Sequence, residues 1–380
     1  MEINSTKKNK KRVIIVVPSL TIGGQERIAI NTANSLMKDC DILFVIFHNS
    51  SQEYSVDFPV QNLDVPNSSN IIGRIVGQIR RSRKLSRLRK QFSADVVYSF
   101  GTTANITNVL SRGNKKGKTV VSFHGFASVK KSILNQIVIK KADRIVVVSK
   151  EMRDEIQRLF PTVKKLVVIE NGYQLPVALN SARNKEGFIN LVTMGRLSQV
   201  KGYDRLIKAF AIIASKEKCV KLSFIGEGPE KGGLETLSKN LGISDRVAFL
   251  GYKERPNEEL CKHSIFLNTS FNEGFPNALI EALNCGLAVI AVDCQSGPRE
   301  ILSEEYQPQR IKDILFEKYG VLVEDRRDDS FPSLFATAVL KLIHDEQLLV
   351  RYQEVGPSRA KQYSLEVYKE KVLDLFESLE

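Results

Sequence analysis

Arg12-Val13-Ile14-Ile15-Val16-Val17 runs into Pro18 and then the glycine turn Gly23-Gly24; Phe188-Ile189-Asn190-Leu191-Val192-Thr193-Met194 runs into Gly195-Arg196. A continuous, largely β-branched run is what a strand buried on both faces of a parallel sheet requires. Outward from each start, strand-sized apolar runs alternate with helical periodicity. After the first come Asp41–Phe47, Val96–Ser99, Thr119–His124, Arg144–Ser149 and Leu166–Ile169. After the second come Leu222–Ile225, Val247–Phe249, Ile265–Asn268 and Ala288–Val292. Helices are predicted over Glu26–Met37, Tyr203–Ala214, Gly232–Leu241, Pro276–Cys285 and Phe331–Asp345. Such alternation predicts an α/β chain of two doubly wound, Rossmann-like domains with parallel sheets. The boundaries are expected at 1–175 and 187–355, with a polar linker over 176–186. The tail 356–380 carries helical spacing in Leu365, Tyr368, Val372, Leu375, Phe376 and Leu379. It is expected to cross back onto the first domain.

A chain of 380 residues with 42% hydrophobic side chains is long enough for two cores. No apolar run reaches bilayer length, and Val13–Val17 is too short for a signal h-region, which predicts a cytoplasmic protein. The five cysteines show no zinc spacing and are expected to be buried, reduced thiols. The net charge of +13 is unevenly spread. Residues 1–175 hold 29 Lys and Arg against 13 Asp and Glu, a balance of +16, and the remainder carries −3. A basic half points to a polyanionic partner, nucleic acid or anionic lipid.

The segment Phe271-Asn272-Glu273-Gly274-Phe275-Pro276-Asn277-Ala278-Leu279-Ile280-Glu281 carries the densest chemistry. Pro276 suits a helix's first turn, and Gly274, Phe275 and Asn277 surround a positive helix end able to hold a diphosphate. Glu273 in the loop and Glu281 in the helix would then stand on either side of it, one for each hydroxylated ring. The plain alternative for Glu281 is a solvent-facing residue on an amphipathic helix.

With these residues in view, the chain resembles the retaining glycosyltransferase family four, which has the two-domain GT-B fold. The Glu-x7-Glu pair Glu273/Glu281 is joined, in family order, by Gly23-Gly24, Phe123-His124-Gly125, Asn171-Gly172 and Gly195-Arg196-Leu197 with Lys201-Gly202. Gly226-Glu227-Gly228-Pro229 and Ser296-Gly297-Pro298-Arg299-Glu300 complete the set. The resemblance implies two facing domains, with the donor mainly in the second. It implies Arg196 and Lys201 on the donor diphosphate, Glu281 on the ribose, Glu273 beside the transferring sugar and His124 near the reacting carbon. Gly23 and Gly24 would approach donor or acceptor. Tyr173-Gln174 departs from the family, which often has a hydrophobic residue and then Asp after Asn-Gly. No clear Asp-x-Asp accompanies these motifs; Asp325-Arg326-Arg327-Asp328-Asp329 has the wrong spacing. No metal and no cofactor are therefore expected, the nucleotide-sugar being a co-substrate.

Arg74 to Lys90 reads as a cationic amphipathic helix with Ile75, Ile79, Leu85 and Leu88, led in by Ile71 and Ile72. Lys130-Lys131 before Ile133, Leu134, Ile137 and Val138 suggests another. Arg80, Arg81, Arg83 and Lys84 are the membrane-facing candidates. No aromatic is interleaved with the cations, which disfavours nucleic acid. The expected partners are a nucleotide-sugar, most simply a UDP-sugar, a glycan or lipid-linked glycan acceptor, and the inner face of the cytoplasmic membrane. Bacterial capsule, O-antigen or similar surface-polysaccharide assembly is the expected setting. The rival readings are a nucleotide-sugar epimerase and a non-catalytic nucleotide-sugar-binding protein.

Overall fold

The structure, a computed structural model, describes residues 10–21, 23–49, 54–113, 117–175 and 189–379. The linker expected at 176–186 and most of the basic start lie outside them. Two compact units emerge: Met1–Val148 with Met152–Gly172 and Leu365–Glu380, and Ser149–Glu151 with Tyr173–Ser364.

In the first unit, β1 (Lys11–Val16), α1 (Gly24–Leu36), β2 (Cys40–Ile46), β3 (Val60–Asn62) and α2 (Ile71–Gln91) lead to β4 (Val96–Phe100). Next come α3 (Thr102–Ser111), β5 (Lys118–Phe123), α4 (Ile133–Lys141), β6 (Arg144–Val147), α5 (Lys150–Leu159) and β7 (Leu166–Val168). The seven strands pair in parallel in the order β3-β2-β1-β4-β5-β6-β7. Val13 to Val17 are fully buried, as an apolar run with helices on both sides demands.

In the second unit, β8 (Ile189–Met194), α6 (Tyr203–Lys216), β9 (Val220–Ile225), α7 (Lys231–Asn240), β10 (Val247–Phe249) and α8 (Pro256–Leu260) come first. They are followed by β11 (Ile265–Asn268), α9 (Asn277–Asn284), β12 (Ala288–Val292), α10 (Pro298–Leu302), β13 (Ile314–Phe316) and β14 (Val321–Val323). Helices α11 (Phe331–His344) and α12 (Glu346–Lys361) end the unit. Its sheet runs β10-β9-β8-β11-β12-β14-β13, parallel but for the antiparallel edge strand β13. Its core joins Leu206, Phe210, Phe224, Leu267, Phe335 and Tyr352.

The final helix, α13 (Leu365–Glu377), belongs to the first unit. There the Tyr368 hydroxyl lies 2.6 Å from Thr32 Oγ1, Lys371 bonds Glu170 at 2.7 Å, and Phe376 packs edge-on against Tyr98. The tail expected from 356 divides differently, because 356–361 completes α12. Gly356 and Ala360 are buried in the second unit, and a Cβ on Gly356 would lie 3.0 Å from the Leu283 carbonyl. The chain therefore changes units at Ser364/Leu365, and likewise at Gly172/Tyr173 rather than after 175.

Two further expectations change. All five cysteines are free, but Cys219 is exposed, not buried. Of the membrane-facing set, Arg80, Arg83 and Lys84 are exposed while Arg81 is buried. The Arg81 guanidinium donates to the Val65 and Pro66 carbonyls and to Asn67 Oδ1, and stacks over Phe47 at 5.1 Å. Lys84 donates to the Leu63 carbonyl at 2.5 Å. Arg81 and Lys84 thus tie α2 to the loop after β3. The expected apolar stripe also splits, with Leu85 buried and Ile75 and Ile79 exposed.

Candidate active site

In a doubly wound sheet, ligands collect at the C-terminal ends of the strands where the order reverses. In the second unit that point lies between β8 and β11. The turn after β8 carries Gly195, exposed Arg196 and Lys201; the loop after β11 carries Glu273. The structure brings two of the expected residues together: Lys201 Nζ lies 2.7 Å from Glu273 Oε1. Burial works against the Lys201 ammonium, but the Glu273 carboxylate, helped by Tyr203, more than offsets it and raises the lysine pKa. Lys201 is therefore a fixed cation at neutral pH.

Both loops are tied down. Thr269 Oγ1 donates to the carbonyls of Lys201 and Gly202 at 3.2 and 3.0 Å. Gly202 takes the left-handed conformation (φ 61°) at the start of α6, where a Cβ would lie 2.4 Å from the Thr269 carbonyl. Glycine is needed there for both reasons. On the other side, Glu273 N–H donates to the Gln295 carbonyl, Ser296 N–H donates to the Glu273 carbonyl, and Ser296 Oγ donates to the Gly274 carbonyl.

Pro276 occupies the N-cap of α9 rather than its first turn, and Asn277 opens the helix. Glu281, four residues on and about 6 Å along the axis, is buried rather than facing solvent. Phe275 is buried against Tyr363, edge to face. Asp325, in the segment dismissed as a metal motif, pairs with Arg205 at 2.9 Å and with Arg327.

Sequence reasoning passed over the groups that orient Glu273. Ser270 Oγ donates to Glu273 Oε1 at 2.6 Å, and Asn268 Nδ2 lies 3.4 Å from the same atom. Arg205, itself buried, donates to the Thr269 and Ser270 carbonyls and lies between the Phe271 and Phe331 rings at 4.0 and 4.2 Å. Asn268 ends a strand at the switch point, a position that could have marked it. Arg205 left no such mark.

In the first unit the reversal falls between β1 and β4. Gly23 caps α1 in extended conformation, and a Cβ on Gly24 would meet open space. His124 follows β5, stacks on Phe100 at 5.2 Å and shares a 2.8 Å hydrogen bond through Nε2 with Ser122 Oγ. Burial pushes its pKa down to about 4, Asn171 pulling the other way. The imidazole is neutral at physiological pH and suits positioning rather than cation chemistry.

Two Rossmann-like units of this topology, each with polar loops at its switch point, have the architecture of the GT-B fold. Residues 22–175 match the model of "Glycosyltransferase Family 4" and residues 179–359 that of "Glycosyl transferases group 1". The chain belongs to this glycosyltransferase family. It is 28% identical over 328 residues to an uncharacterized glycosyltransferase of Methanocaldococcus jannaschii, covering 76% of this chain and 80% of that one. It is 26% identical over 367 residues to a Campylobacter jejuni enzyme, covering 92% and 94%. That relative is named N-acetylgalactosamine-N,N'-diacetylbacillosaminyl-diphospho-undecaprenol 4-alpha-N-acetylgalactosaminyltransferase. Among solved structures, Anabaena HepE in complex with UDP superposes with a TM-score of 0.78 at 18% identity, over 97% of this chain and 100% of that one.

Proposed function

We propose that this glycosyltransferase moves a hexose from a UDP-sugar to a hydroxyl of a lipid-linked glycan, with retention of anomeric configuration. It would act peripherally at the inner face of the cytoplasmic membrane, in capsule, O-antigen or other surface-polysaccharide assembly. The observation that carries this reading is the 2.7 Å Lys201–Glu273 pair at the β8/β11 switch point. One N–H of the ammonium engages Glu273, and two further donors are available to phosphate oxygens. Arg196 and the start of α9 add positive charge for the diphosphate. Glu281 takes the ribose hydroxyls, and Glu273 lies beside the sugar. The UDP in the Anabaena structure and the diphospho-undecaprenol acceptor in the Campylobacter relative's name support the two substrate classes.

In the proposed step the acceptor oxygen bonds to the anomeric carbon on the face the diphosphate leaves. The carbon–oxygen bond to phosphate breaks, and the acceptor proton passes to a phosphate oxygen. His124, neutral, acts as a positioning group.

Calorimetry with UDP tests the order of residues. Glu281→Gln is expected to weaken binding by about tenfold or more, the cost of a charged hydrogen bond. Glu273→Gln should keep UDP affinity and lose turnover. The reverse pattern would exchange the two roles, and UDP binding with no sugar transferred from any UDP-hexose would leave a binding protein.

Chelator is expected to leave turnover intact, because Arg196 and Lys201 supply the charge that a metal would. Loss with EDTA, restored by Mn²⁺ or Mg²⁺, overturns that part of the reading.

A further inference from the structure

Three helices of the first unit form a single layer with an unusual surface. The strand order β3, β4, β5, β6 advances in one direction with right-handed crossovers, so α2, α3 and α4 lie on one face of the sheet. They pack against one another in sequence. Not one Asp or Glu occurs in the three, while α2 carries eight Lys and Arg and α4 two. Each helix returns from the C-terminal edge of the sheet to its N-terminal edge, so the first turns of α2 and α4 stand at the edge that carries His124.

Those first turns are apolar and open to solvent. Ile72 is 76% exposed and Ile133 75%, with Ile71, Ile75, Ile79 and Leu134 exposed beside them. Isolated exposed side chains need no explanation, but this group occurs on the two helices that flank α3, at one edge, in helices that carry no acidic residue. Arg80, Arg83 and Arg87 are exposed on α2, as are Lys130 and Lys131 before α4.

We infer that the start of α2 and the start of α4 form a docking surface for an anionic phospholipid bilayer, the isoleucines entering the acyl boundary and the outward cations meeting the headgroups. The argument is charge complementarity joined to exposed branched apolar side chains, for which nucleic acid has no use. The inference rests on the proposed lipid-linked acceptor and adds the face that would set the His124 edge toward lipid. It also revises the basic stripe. Arg81 is withdrawn into the fold and Lys84 is engaged by the Leu63 carbonyl, so attachment falls to the isoleucine tips with Arg80, Arg83 and Arg87.

Co-sedimentation of the full chain with phosphatidylglycerol–phosphatidylcholine vesicles tests this. Wild type is expected to bind at low salt, to bind pure phosphatidylcholine poorly and to release partly at high salt. Ile72→Ser/Ile75→Ser/Ile133→Ser should lower anionic-vesicle binding on the order of tenfold or more. The corresponding leucine variant should retain it. Both should keep the wild-type melting temperature and UDP-sugar hydrolysis in solution. Arg80→Ser/Arg83→Ser/Arg87→Ser should flatten the salt dependence. Wild type that ignores anionic vesicles, or a serine variant that binds like wild type, overturns the inference. So does a chain that self-associates through these isoleucines without binding vesicles, since the face then belongs to a second copy. Vesicle binding without sugar transfer would sink the proposed reaction and leave the docking face standing. Transfer to a water-soluble acceptor without vesicle binding would do the opposite.

Discussion

Lys201→Ala is expected to lower turnover of the proposed UDP-sugar donor by about 10²- to 10³-fold, the usual effect of removing one preorganised group from a developing charge. Its effect on kcat should exceed its effect on UDP affinity, because the charge on the diphosphate grows as the bond to the sugar breaks. Glu273 keeps its bonds from Ser270 and Asn268 in the variant, so the loop should survive. Arg196→Ala, at an exposed position, should also lose turnover while melting like wild type. Steady-state kinetics beside a thermal melt decides the matter. Wild-type kcat in Lys201→Ala would remove this lysine from the diphosphate.

Arg205→Ala should destabilise the second unit by about 3–5 kcal/mol, the range for removing one partner of a buried ion pair. In a unit of this size that lowers the melting temperature by about 10 °C. The cause is local. One guanidinium serves the Thr269 and Ser270 carbonyls and Asp325 while filling the space between Phe271 and Phe331. Arg205→Lys retains the charge but not the planar fork, and is expected to recover only part of the loss. Because the same carbonyls set the path toward Glu273, surviving Arg205→Ala protein should show lowered kcat with near-normal UDP affinity. A melt unchanged from wild type would mean that Phe271, Phe331 and the backbone hold the loop without Arg205.

Much of the architecture was readable before any coordinates. Val13–Val17 is a continuous, fully buried apolar run, as a strand covered on both faces requires, and Leu191 and Val192 are buried at the middle of the second such start. Their spacing from helical segments predicts parallel sheets, and Gly195-Arg196 and Asn268–Glu273 follow directly from strands. That placement brought Lys201 and Glu273 to one switch point. Strands β3, β13 and β14, three residues each, escaped notice, although β10 of the same length was legible as Val247–Phe249.

Where reading failed, a local pattern had been asked to report a distant partner. A helix rich in arginine predicts cations facing water, yet Arg81 turns inward because the loop after β3 presents carbonyls that sequence does not display. Ile75 and Leu85 look alike in the string, but one is exposed and the other buried, since only packing decides which part of α2 meets the sheet. The tail's periodicity foretold a helix but not the change of units at 364, which depends on whether Gly356 meets Leu283 or Tyr368 meets Thr32. The sequence by itself determined most of the strands, the helices of clear period and their order, because strand burial, helical period and glycine conformation act within a few residues. Only the tertiary structure decided which charges are structural, which apolar residues remain exposed and what orients Glu273, because each of those depends on groups brought together from far along the chain.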